Sequence, residues 1–380
     1  MSKSEILPGF GRYISMNVGG TSTSFDLHCT WKNKIASPFS SGHLSLSSRG
    51  VATAVSGKYI MRKILSGPAA PILQPEFFVG FKRDDLVFAQ AQKEEARLKD
   101  KTPPPELLGP EELNDFAGFM KALLLTDGFS LVYKPLYDVR GNGVFFLSKD
   151  LGSRSIILTM AGGLIGEIFW NDYLSQLNLP GTRVDANKFI AQVILNVNQD
   201  DVLGIMSDLW HIISTSSANE YYYYDPGMME TKVPSIKVAN NRAYSCRYYV
   251  DIDFTANTIN LQKCRWHSRI GSSEYFANYL GRSRGASAAK LYWHADKEMY
   301  GSLSPYIRDQ KKFEDQLDQL LVLETQYLIA RLEAAGFSLS GLGHFEIDLM
   351  WAQKDNAIYP VVEEAGISVC NDENDKWRLI

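Results

Sequence analysis

Apolar and polar positions change period several times along the chain, and each change marks an element. In KYIMRKIL, Tyr59, Ile60, Ile64 and Leu65 recur at helical spacing from Lys58 onward, and SGPAAP, with Gly67, Pro68 and Pro71, must stop that helix. PILQPEFFVGF then reads as a buried strand. FSLVYKPL and NGVFFLSKD are strand patterns separated by YDVRG, which makes a hairpin with a glycine-bearing loop, and SRSIILTM adds a third strand. Residues 184 to 215 repeat with helical period. SCRYYVDIDF and TINLQKCRW form a second hairpin around TAN, and an amphipathic helix runs from about 309 to 335, ending at Gly336. The last pattern, HFEIDLMWA and AIYPVVEEAGI joined by QKDN, predicts two long strands side by side.

The remaining stretches read as connections. Residues 1 to about 55 are rich in Gly, Ser and Thr and suit short strands and turns. AQAQKEEARLKDKTPPPELLGPEEL is a charged surface excursion, helical and then a linker, before a capped helix in PEELNDFAGFMKALL, whose first turn carries the acids a helix dipole favours. SSANEYYYYDPGMME is a polar-aromatic loop whose tyrosines suit an amphipathic packing edge better than a base-stacking platform.

Composition narrows the function classes. The 380 residues suffice for two or three structural units, and 45% hydrophobic with 22% charged residues is the mix of a soluble globular protein. A net charge of −4 argues against a general nucleic-acid or anionic-membrane binder. Cys29, Cys246, Cys264 and Cys370 are far apart, without zinc-ligand spacing or a disulfide framework. The start MSKSEILPGFGRYISM lacks a signal-peptide stretch, and no run reaches the length of a membrane span, so a cytoplasmic protein is expected.

Several residue groups carry candidate chemistry. Lys134 ends a strand, and Gly141 and Gly143 sit in the turn that follows, where backbone N–H groups can approach phosphate; a plain hairpin turn explains them too. Asp348 lies within the apolar strand FEIDLM, costly unless paired or metal-bound, and Glu363 lies on the next strand. Facing carboxylates there can hold Mg²⁺, the alternative being an acid at an exposed strand end. Alternation in YPVVEEAG puts Val361 and Glu363 on one face and Val362 and Glu364 on the other. Arg265, His267 and Arg269 form a basic cluster suited to an anionic substrate or to a solvated strand end. GxSxG, HExxH and P-loop motifs are missing.

In order, the chain offers a lysine opening a helix, a strand-borne lysine with its glycine loop, Glu230 in METKVPSI, an arginine on a hairpin, a long helix and a two-carboxylate hairpin. This succession resembles the ATP-grasp superfamily, most closely its amide-forming ligases. SRGVATAVSGKYIMRKILSGPAAPILQPEFF is similar to the corresponding region of cyanophycin synthetase and the bifunctional glutathione synthetases. The resemblance runs from about residue 50 to 370, with an insertion near 83 to 110.

The resemblance implies an α+β ATP-grasp fold, two α+β lobes clasping ATP behind a short N-terminal region. Its divisions would be 1–110 for that region with the lead-in helix and insertion, 111–232 for the small lobe, and 233–380 for the large lobe with the metal site. Lys58 and Lys134 would touch ATP phosphates, and Gly141 and Gly143 would belong to the closing loop. Glu230, Thr231 and Val233 would form the hinge, with backbone groups of Thr231 and Val233 reading adenine. Arg247 and Lys134 would be catalytic, stabilising an acyl phosphate. Asp348 and Glu363 would hold Mg²⁺, because aligning PVVE with the family's strand sets Glu363, rather than Glu364, opposite Asp348. Asn278 in YFANYLG, Arg265, Arg269 and Glu364 are further candidates.

Two departures qualify the match. The family's Glu-x-Asn at the last metal position is Glu363–Glu364–Ala365 here, and the arginine two residues before the metal Asp in D-alanine ligases is Glu346. The expected reaction joins a small-molecule or peptide carboxylate to an amine, consuming ATP with Mg²⁺ and releasing ADP and phosphate. A small-molecule kinase and a non-catalytic ATP-binding protein are the alternatives. Nucleic acid and membrane are not expected partners; a homodimer is compatible with the sequence.

Overall fold

A computed structural model describes residues 22–24, 58–67, 69–75, 77–79, 130–135, 144–149, 155–161, 190–196, 227–237, 241–261, 267–270, 290–293, 302–335, 339, 342–354 and 357–370. The elements, in chain order, are β1 (Ser22–Ser24), α1 (Lys58–Leu65), β2 (Phe77–Val79), β3 (Ser130–Pro135), β4 (Phe145–Lys149), β5 (Ser155–Ala161), β6 (Ile190–Asn196) and β7 (Gly227–Thr231). They continue with β8 (Tyr244–Asp253), β9 (Thr258–Leu261), β10 (His267–Ile270), β11 (Lys290–Trp293), α2 (Gln310–Ala334), β12 (Leu342–Lys354) and β13 (Ala357–Cys370). The arrangement is α+β. No helix among the described residues is long and apolar enough to cross a membrane.

The strands form two antiparallel sheets. The smaller has six strands in the order β2-β7-β3-β4-β5-β6. The larger has seven, with β8 at its centre: β12 pairs with one edge of β8, while β9 and β10 share the other. Both hairpins expected around YDVRG and TAN are present. The second turns tightly because Asp253 Oδ1 accepts from the N–H groups of Thr255 and Ala256, both at 2.9 Å, and Asn257 takes the left-handed backbone at φ 53°.

Two expected elements differ. Residues 190–196, expected to be helical, are strand β6, paired with β5 along its whole length. IAQVILN carries β-branched Ile190, Val193 and Ile194, and a continuous ladder outweighs a weak helical period. Among the described residues of PILQPEFFVGF, strand is found at Phe77–Val79. Pro71 and Pro75 cannot donate to a ladder, so the segment before β2 contributes only an isolated bridge, Leu73 to Val361.

The core lies between α2 and the larger sheet, with the Phe313 and Trp351 rings 5.0 Å apart. Asp309 caps α2 by accepting the Lys312 N–H at 3.0 Å. The helix is less amphipathic than expected, because every residue from Leu320 to Ala330 is buried. Its second side is covered by α1 and the segment after it. Arg331 fastens that cover by donating to the carbonyls of Lys63, Ile64 and Ser66, which satisfies acceptors that the end of α1 leaves open. Gly336 lies outside the described residues.

Candidate functional site

Segment 227–237 passes from one sheet to the other, and the charged residues gather where it crosses. Its first half is β7, between β2 and β3. Past β7, the Lys232 N–H still donates to Ser130 O at 2.9 Å. The chain then joins the larger sheet: Ser235 bridges Ala352, Ile236 N–H donates to Trp351 O at 2.8 Å, and Gln353 N–H to Pro234 O at 3.1 Å. Thr231 and Val233, expected at a hinge, are the residues that make this crossing; Thr231 is exposed and Val233 half-buried.

Glu230 stands just before the crossing and is buried. In the β3–β7 register Lys134 faces Met228 and Val132 faces Glu230, so Lys134 and Glu230 are diagonal neighbours on one face. The Lys134 ammonium sits 2.8 Å from Glu230 Oε2. The other oxygen, Oε1, accepts from Arg62 Nε at 2.6 Å. Burial alone would raise the Glu230 pKa, but the charges and hydrogen bonds of Arg62 and Lys134 outweigh it and hold the carboxyl below its ordinary value.

Arg62, on α1 among buried Met61, Ile64 and Leu65, is only 3% exposed. Its remaining donors reach β13: Nη1 donates to Val362 O at 2.7 Å, and Nη2 donates to Glu363 O. Lys134 Nζ also donates to Glu363 O at 3.4 Å. Lys58, one turn before Arg62, pairs with Glu364 Oε1 at 3.9 Å. Lys58, Met61, Arg62, Met228, Glu363 and Glu364 line a narrow cleft of about 10 Å³.

A second group lies on the larger sheet. Arg247 of β8 is directly opposite Asp348 of β12. The pair is bidentate, Nε to Oδ1 at 2.7 Å and Nη2 to Oδ2 at 2.8 Å, while Nη1 meets Glu346 Oε2 at 2.6 Å. Burial works against the Arg247 charge, but Asp348, Glu346 and Glu364 together overcome it and push its pKa up. Glu346, noted in the sequence only as a departure from the D-alanine ligases, is thus a partner of the arginine.

The strand register corrects one expectation. Asp348 is paired with Glu364, not Glu363. Leu349 pairs with Val362, so Glu363 is an extra residue in a β-bulge, and strict alternation fails there. The expected Asp348–Glu363 metal pair is therefore not built across the hairpin. Both Asp348 oxygens are engaged by Arg247, and among the described residues no three His, Cys, Asp or Glu side chains converge as a metal nest. These residues do not fit a resident metal in this arrangement. Ala365, where the resemblance would expect Asn, is buried.

Compared with models of known protein families and with curated proteins, the chain matches none.

The site therefore brings together Lys58, Lys134, Glu230, Glu363 and Glu364, and separately Arg247 with Asp348. Arg269 lies in β10, opposite Ser245 of β8. Gly141, Gly143, Asn278 and Arg265 lie outside the described residues. Sequence reasoning missed Arg62. The available signal was its place four residues after Lys58, a second cation on a short helix with an apolar face.

Proposed function

We propose that this chain is an ATP-dependent carboxylate–amine ligase of the ATP-grasp type, clasping ATP between its two sheets. The observation that carries the reading is the crossing at Glu230–Val233, with Lys134 on one side of it, Lys58 and Arg62 on α1, and the acid-bearing edge of β13 on the other. Cations from separate elements converge where a triphosphate would lie between sheets. Their donor chemistry fits phosphate oxygens: ammonium groups act as point charges. The cleft encloses about 10 Å³, room for about one water, so in this reading Lys134 and its neighbours must move apart to admit phosphate.

ATP, when bound, supplies the phosphoryl group that activates a substrate carboxylate as an acyl phosphate. In this reading Lys134 moves from Glu230 toward the phosphates, and Lys58 adds charge from the helix side. Arg247 stabilises developing negative charge at the acyl group while Asp348 and Glu346 fix its orientation. An amine then displaces phosphate to form the amide. No step is assigned to a protein-held metal.

A second reading is a non-catalytic nucleotide-binding protein. It is favoured by buried Ala365 in place of the family's Asn and by the full engagement of Asp348 with Arg247. ADP release over pooled carboxylic acids and amines separates the two. The ligase reading expects release that needs both pools and disappears in Lys134→Ala and Asp348→Asn with the fold retained. ATP retention without turnover over the whole panel would support the second reading, and wild-type turnover by either variant would remove that residue from the mechanism.

A further inference from the structure

We infer that Arg62 is a positioning residue: its guanidinium holds the β-bulge at Glu363 and thereby selects Glu364 as the acid that faces Asp348 and Arg247. In a regular strand, successive carbonyls point to opposite edges. Here Val362 O and Glu363 O, which are consecutive, both accept from one guanidinium. Two neighbouring carbonyls reach the same side only where the strand takes an extra residue, and the register places that extra residue at Glu363. The planar fork of arginine matches such a pair of acceptors, as a single ammonium does not.

The fork is itself held. Its Nε is committed to Glu230, whose second oxygen is held by Lys134. Arg62 therefore ties the bulge on the larger sheet to the strand that begins the crossing on the smaller one. The outer edge of β13 gains one more tie at this point, because Val362 N–H donates to Leu73 O at 2.9 Å.

The bulge has a definite consequence for the acids. From Leu342 to Asp348 the partners of β12 follow one register, ending at Glu364, and from Leu349 onward they follow another, shifted by one residue. Without the bulge, the register near the QKDN turn would continue along the hairpin. Glu363 would then stand opposite Asp348, and Ala365 would replace Gly366 opposite Glu346. One arginine decides between two arrangements in which different carboxylates flank Arg247. Catalytic use of the selected acid rests on the ligase reading; the register does not.

Disulfide trapping reads the register without nucleotide, so its failure is distinct from failure of the ligase reading. Cys29, Cys264 and Cys370 are changed to serine, leaving buried Cys246. One reporter is Glu346→Cys with Gly366→Cys, whose residues are paired. A Cβ at position 366 meets nothing within 4 Å, so that cysteine fits. The other reporter is Glu346→Cys with Ala365→Cys, which closes only if the bulge is lost. With Arg62 present, the 346/366 pair should oxidise in most molecules and the 346/365 pair in few. Arg62→Met should lower the first yield several-fold and raise the second. Arg62→Lys, which keeps a charge beside Glu230 but cannot fork, should move both yields in the same direction, and it serves as the deciding variant if Arg62→Met does not fold. Unchanged yields in the folded variant would overturn the inference, as would closure of the 346/365 pair with Arg62 intact.

Discussion

Two glutamates are buried among the described residues, Glu230 and Glu324, and their surroundings are opposite. Glu230 has a cation on each oxygen, Arg62 at 2.6 Å and Lys134 at 2.8 Å. Glu324, in the enclosed middle of α2, accepts only the Ile72 N–H on Oε2, at 3.0 Å, and Oε1 has no hydrogen-bond partner among the described residues. Burial raises the Glu324 pKa to about 8, against a smaller lowering by the Ile72 hydrogen bond. Arg331, two turns further along α2, gives Glu324 no counter-charge here, because its guanidinium is turned to the carbonyls of Lys63 and Ile64 at the end of α1. One carboxyl is thus held ionised and the other held neutral near pH 7. Burial alone does not make a charged node; partners from other elements do.

The largest effect should come from removing Glu230. Glu230→Gln leaves Arg62 and Lys134 without their counter-charge in a buried place, which should cost about 3–5 kcal/mol. Urea unfolding at neutral pH measures it, and a loss near zero would mean that the node is a spectator. Because the Glu230 pKa is depressed, the stability it contributes is present above the ordinary glutamate value and is lost as pH falls below it.

Glu324 should show the reverse dependence. Between its ordinary value of 4.5 and about 8 the unfolded chain gives up a proton that the folded chain keeps, so stability falls as pH rises through that window and then levels off. Glu324→Gln should abolish this slope, about 1.4 kcal/mol per pH unit within the window. Unfolding of both proteins at pH 5 and pH 8 tests it, and parallel dependences would contradict the assignment.

A smaller effect is expected where the Glu324 region meets α1. A Cβ added at Gly67 would lie 2.5 Å from the Tyr327 hydroxyl. Gly67→Ala should cost about 1–3 kcal/mol through overpacking, with no change in the pH slope. Thermal melts over the same pH range distinguish a packing loss from a charge effect.

Much of this arrangement was legible in the sequence, and the limits have physical causes. KYIMRKIL, the two hairpins and the final strand pair were readable because their periods are local. Lys134, Glu230 and Asp348 stood out as charges at the ends or within apolar strands. The bulge was not readable: VVEEAG carries adjacent acids, and the side chain that pins it, Arg62, lies 300 residues from Val362 in sequence. Glu324 was hidden for a similar reason. An acid in QLLVLETQYLIA looks like part of a solvated helix face until α1 and its following segment cover that face. Strand β6 was misread because its partner, not its own period, decides its state.

The central claim is that the cations beside the crossing bind the phosphates of ATP. Titration calorimetry of the full chain with MgATP tests it most directly, with exposed Lys312→Ala on α2 as a control. The account predicts saturable binding, about ten-fold weaker in Lys134→Ala and unchanged in Lys312→Ala. No saturable binding by the wild-type chain, or equal affinity in a folded Lys134→Ala variant, would contradict it.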